Sequence, residues 1–250
     1  ASYRRVLKSF TAEKTEASEA QYQIAWLLFR RGKTAEAARE FETYTALGES
    51  APRFAEALYF GGLSKYQSAD YAGAERDLAA VYARADTPAW LKEKALLDLA
   101  KSRTALKEHA AARESYRQLV KEYPETQSRD EAEYQIIATS LKLADEKSAR
   151  ESLAAFRARN RASPWFAEAL SELAEFYRRK KNFAESDAAL SELESLRKKP
   201  AEKLDVLTAR AALYQEQGRS KEAIRLIEKI LQSEDVSEAI AIRASTLLFQ

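Results

Sequence analysis

Small residues recur along this chain at nearly constant intervals, and each is followed by large apolar residues at helical spacing. Ala25, Gly62, Ala100, Ala138, Ala174 and Ala211 stand 37, 38, 38, 36 and 37 positions apart. A second small residue follows each of them: Ala37, Ala74, Ala112, Ala149, Ser186 and Ala223. The distance is twelve except from Ala138 to Ala149, where eleven implies a turn one residue shorter. Beyond the second site come Phe41 and Tyr44, Leu78 and Val81, Tyr116 and Leu119, Leu153 and Phe156, Leu190 and Leu193, Ile227 and Ile230. The pattern predicts two amphipathic helices per unit. A small side chain on one helix lets its antiparallel partner approach, and the partner's bulky residues fill the groove beside it.

Turn chemistry marks the same boundaries. "RRGKTAEA", "QSADYAGA", "LKEHAAA", "RKKNFAES" and "EQGRSKEA" read as turns inside units, and the glycines of the first and last suit a left-handed helix stop. "SAPRFAEAL" and "ASPWFAEAL" place a proline at the first turn of a helix, with Ser163 as a cap. Trp90 and Trp165 each follow a proline closely at a junction between units, where a buried plug is expected.

With these residues the chain resembles the tetratricopeptide repeat family, whose helix-turn-helix units of about 34 residues stack into a right-handed solenoid. Gly62 with Ala74, Ala100 with Ala112, and Ala174 with Ser186 match the family's two small sites. Tyr71 and Phe183 match its aromatic turn residue, Leu99 and Leu173 its first-helix leucine, and Pro124 its terminal proline. The period here is two to four residues longer, Ser stands at 186, and the fourth turn matches poorly. "YPETQSRDEAEYQIIA" resembles the variant found in bacterial envelope proteins such as outer-membrane assembly lipoproteins and Tol-Pal-associated proteins. The resemblance implies an all-α superhelical solenoid over 1–250, with about six units between 16 and 236. Residues 2–10, with Tyr3, Val6 and Phe10, then read as the second helix of a truncated unit, and 237–250 as the first helix of another, with Ala244 at its small site. The expectation is a fragment of a longer array, and the missing initiator Met agrees with processing.

Composition narrows the function classes. Charged residues make up 32% of the chain yet nearly cancel, at a formal net charge of +2, so no long-range field for nucleic acid is expected. "RRKK" and "RKK" are flanked by glutamates and read as solvated helix ends. No run approaches the roughly 18 to 20 apolar residues of a membrane span. The absence of Cys excludes thiol catalysis and thiolate metal sites while leaving the compartment open. His109 is the only histidine and occupies a turn position where other units carry an aromatic, so packing is its expected role. No Gly-rich phosphate loop occurs, and carboxylates recur beside Lys and Arg at three- or four-residue spacing, as on ordinary solvated helices. The expectation is a non-enzymatic chain with no cofactor and no metal.

Binding is the expected activity, because first helices line the concave side of such solenoids. The first-helix face turned away from its own partner carries Tyr22, Trp26 and Phe29, then Tyr59, Leu63 and Tyr66. It continues with Leu97, Lys101 and Thr104, with Gln135, Thr139 and Lys142, and with Ser171, Glu175 and Arg178. An aromatic lane thus gives way to a polar, mixed-charge one, and such rigid amphipathic side chains suit binding hot spots. Packing against the next unit is an equal reading for Trp26, whereas Tyr59 and Tyr66 point to binding. The carboxylate clamp of chaperone adaptors needs inward Lys and Asn, and the only asparagines, Asn160 and Asn182, lie elsewhere. The expected function is a scaffold that holds a peptide, helix or partner domain in its groove, in the bacterial envelope or periplasm. The alternatives are an interaction module of a larger protein whose catalytic or membrane domain lies outside these residues, and a cytoplasmic location.

Overall fold

Thirteen helices form all the regular structure among the described residues, 14–248, of this computed structural model, and no strand occurs among them. The helix expected at 2–10 lies outside the described residues, as do Phe249 and Gln250. In chain order the helices are α1 (Lys14–Arg30), α2 (Thr34–Thr45), α3 (Phe54–Gln67), α4 (Tyr71–Ala83), α5 (Ala89–Ala105), α6 (His109–Glu122) and α7 (Arg129–Lys142). There follow α8 (Glu146–Asn160), α9 (Pro164–Arg179), α10 (Phe183–Leu196), α11 (Pro200–Glu216), α12 (Ser220–Leu231) and α13 (Glu238–Leu247). The chain forms two compact units, Ala1–Thr139 and Ser140–Gln250. In the first, α1 to α6 pack in sequence, and first helices also meet: α1 touches α3, and α3 touches α5. In the second, α9 to α13 pack in sequence and α11 touches α13.

One turn is used six times among the described residues. Gly32, Ala69, Lys107, Ala144, Lys181 and Gly218 all take φ between 56° and 73°. In each case the next residue's N–H donates to the carbonyl five positions back, as from Lys33 to Leu28, Asp70 to Lys65, and Asp145 to Ser140. This 6→1 bond with a left-handed residue closes each first helix. Only two of the six are glycines, so sequence alone revealed the stop at two. Asp70 and Asp145 then cap the second helix by accepting from the N–H of Gly73 and Ser148.

The fourth turn is therefore not shorter. Counting back from Ala144 puts Ile137, fully buried, where the other units have their first small residue. Ala138 is one position out of register, and eleven residues to Ala149 become twelve from Ile137. The remaining small sites fit as expected: Ala25, Ala37, Ala74, Ala100, Ala112, Ala149, Ala211 and Ala223 are completely buried. A Cβ on Gly62 would stand 3.0 Å from Leu78 Cγ, so this pair is tighter than one built on alanine. Ser186 uses its hydroxyl across the seam, donating to the Ala174 carbonyl at 2.8 Å. Every bulky pair that follows a second small site is buried.

Two boundary expectations change. Ser163 caps α9 with Pro164 at its first position, as the sequence predicts, but Pro52 stops short of α3, which begins at Phe54. Trp90 and Trp165 are not buried plugs. They are 49% and 38% exposed, while their neighbours Leu91 and Phe166 fill the junctions.

Candidate functional site

The aromatic lane divides into two parts once consecutive first helices lie side by side. Tyr22 is 4% exposed, with its ring edge-on to Phe41 and Tyr44 and the Arg53 guanidinium 4.9 Å from its centroid. Its hydroxyl donates to Glu56 on α3, and burial followed by that carboxylate holds the phenol well above its usual range. Tyr59 repeats the arrangement one unit on. It is 5% exposed and donates to Asp98 Oδ2 on α5 at 2.8 Å, with its phenol likewise pushed up by burial. Half-buried Trp26 and Phe29 close around Phe60, with centroid distances of 4.6 and 5.4 Å. Tyr22 and Tyr59 are thus packing residues, contrary to the sequence reading. The face turned from a helix's own partner meets the next first helix before it meets solvent.

Further along the same unit the lane opens. Tyr66 at the end of α3, Lys101 and Thr104 on α5, and Glu131 and Gln135 on α7 surround a groove of about 380 Å³, with Tyr116 of α6 at its base. Four of these, Tyr66, Lys101, Thr104 and Gln135, occupy positions that the sequence assigned to the binding face. Tyr66 is half-buried, held edge-on by Tyr71 at 5.4 Å. Lys101 meets Glu131 at 3.0 Å, which neutralises the groove, and Thr104 donates back to the Ala100 carbonyl. Burial raises the Tyr116 phenol further above physiological pH, where a phenol is already neutral. Leu63 is half-buried and packs against the core behind the groove.

Other expected site residues do not join it. Thr139 is 2% exposed and Lys142 is exposed on the surface, because both positions follow from Ala138 and stand one residue out of the register set by Ile137. In the second unit Glu175 accepts from both Arg178 and Arg179 at 2.7 Å. Its bonds to Arg178 and Arg179 hold the Glu175 carboxyl below its usual range, and Arg178 also reaches Glu216. That cluster is internally neutralised. His109 opens α6 half-buried, its Nδ1 without a hydrogen-bond partner among the described residues. Among the described residues no group of His, Asp and Glu is arranged to hold a metal ion, and no helix is long and apolar enough to cross a membrane.

The tetratricopeptide repeat family model matches residues 19–47 and 94–126, which cover most of α1 with all of α2, and most of α5 with all of α6. Those two segments are tetratricopeptide repeats. No curated protein matches it in sequence. Solved structures share its fold at low identity. A tetratricopeptide repeat protein from Parabacteroides merdae superposes with a TM-score of 0.64 at 18% identity, covering 93% of this chain and 86% of the other. YrrB, described as a TPR protein with an unusual peptide-binding site, gives 0.60 at 16% identity over 82% and 97% of the two chains. PilW, a type IV pilus biogenesis factor, gives 0.56 at 16% identity over 95% and 100%. The fold class of this chain is accordingly the α-α superhelical solenoid.

Proposed function

We propose that this chain is a non-enzymatic interaction scaffold that holds an extended peptide of a partner protein against the first helices of its N-terminal unit. The observation that carries the reading is the open groove between Tyr66 and the Lys101–Glu131 pair, where the first-helix face escapes its neighbour. A neutral pocket with an aromatic wall, and with hydroxyl and amide groups at Thr104 and Gln135, suits a peptide backbone and an uncharged side chain. YrrB, with its peptide-binding site, supports a peptide as the occupant. The envelope or periplasm is the proposed location, supported by the "YPETQ" link between α6 and α7 and by the likeness to PilW.

A peptide-display selection against the whole chain supplies a ligand. Tyr66→Ala is expected to weaken its binding about tenfold, a loss of ~1.4 kcal/mol, and Lys101→Ala somewhat less. Fluorescence anisotropy with unchanged circular dichroism would show this. An affinity indifferent to both substitutions would move the site elsewhere.

A further inference from the structure

A second groove, of about 530 Å³, lies beside the first half of α5 in the same unit, and its chemistry differs from that at Tyr66. Trp90 stands at its mouth, half exposed, with Leu97 further in. Glu93, Asp98 and Glu125 line it against a single ammonium, Lys94. The ion pairs that neutralise most other acidic positions of this unit are missing here. Among the described residues neither Glu93 nor Glu125 has a hydrogen-bond or ion-pair partner, while Asp98 keeps one oxygen for Tyr59. The indole already attracts a cation, since Lys94 Nζ lies 5.5 Å from its ring centroid.

We propose that this groove binds a Lys or Arg side chain of a partner protein. Its aliphatic stem would lie along Trp90 and Leu97 and its charged head among Glu93, Asp98 and Glu125. The Trp90 ring and Leu97 suit the methylenes of such a side chain, the indole face favours a cation, and the Glu93 and Glu125 carboxylates can accept charge-assisted hydrogen bonds. A bare divalent ion fits less well, because no described group of acidic side chains converges closely enough to hold one. The site uses different side chains from the Tyr66 groove and does not depend on it.

The test follows the indole N–H resonances of the three tryptophans in the whole chain, assigned by Trp90→Phe, during titration with a blocked tri-arginine peptide at low salt. Tri-glutamate and tri-alanine peptides serve as controls. The Trp90 resonance is expected to move with tri-arginine alone. Glu93→Gln with Glu125→Gln should raise the half-saturating concentration at least fivefold, and Glu228→Gln with Glu234→Gln should leave it unchanged. Tyr66→Ala should also leave it unchanged, which separates this site from the first. The proposal is overturned if Trp90 does not respond, if tri-glutamate moves it equally, or if the protein carrying both groove substitutions behaves like the parent. It is also overturned if sedimentation shows a self-associated species that Trp90→Ala dissolves, because the occupant is then a second copy of the chain.

Discussion

Asp98 shows how one half-buried carboxylate links packing to pH. Burial raises its carboxyl above the ordinary range even though the Tyr59 hydroxyl donates to it. A raised pKa means that the fold binds the proton more tightly than the unfolded chain does. The stability from this group is therefore full at acid pH and lost as pH rises through the folded-state value. Asp98→Asn keeps an acceptor for Tyr59 without the charge. It is expected to raise the urea midpoint at pH 7, with the difference fading toward pH 4, and a midpoint lowered at pH 7 would contradict this. The left-handed turn residues offer a paired test. Gly32→Ala should cost about 1 kcal/mol, because a Cβ there meets no atom within 4 Å and only the backbone objects. Lys107→Gly should leave stability unchanged or raise it by up to about 1 kcal/mol. Thermal melts of both proteins would reveal the asymmetry. None of this could be read from residue types. Lys107 and Lys181 carry no glycine signal, and a tyrosine on an amphipathic face does not say whether a neighbouring helix covers it.

Helix pairing was the most legible level, because a seam that admits only small residues writes itself into the sequence as alanine. Ala100→Leu or Ala112→Leu is expected to overpack that seam and cost about 1 to 3 kcal/mol, measured by denaturant titration. An unchanged midpoint would refute the close approach. The exception is instructive. Ile137 occupies a small site in the fourth unit, so the recurrence of small residues points one position too far, to Ala138, and misplaces Thr139 and Lys142 on the lane, although Gln135 still borders the groove. Only the hydrogen-bonded turn at Ala144 restores the register. The candidate groove was half legible for a similar reason. Periodicity places Tyr66, Lys101 and Thr104 on the face where the groove opens, whereas the coverage of Tyr22 and Tyr59 depends on contacts more than thirty residues away. Trp90 was misassigned because its neighbour Leu91 fills the junction that the indole was expected to plug.

For the molecule as a whole, stability is expected to be regional. In stacked repeats each helix pair is stabilised by itself and its neighbours, so damage spreads by contact and not through one common core. Ala211→Leu in α11 should therefore speed amide exchange in α11 to α13 well before it affects α1 to α4. Hydrogen exchange read by mass spectrometry would test this, and uniform loss of protection would indicate a single cooperative block. The links add a further asymmetry. Every connection within a pair has three residues, whereas those between pairs run from three, as at 161–163, to eight, at 46–53. Length variation is thus confined to the joints between pairs. Identical hairpin bends make the pairs interchangeable cassettes at the backbone level. Such a chain can gain, lose or exchange a cassette by recombination at the joints, and change what it recognises without redesigning how it folds.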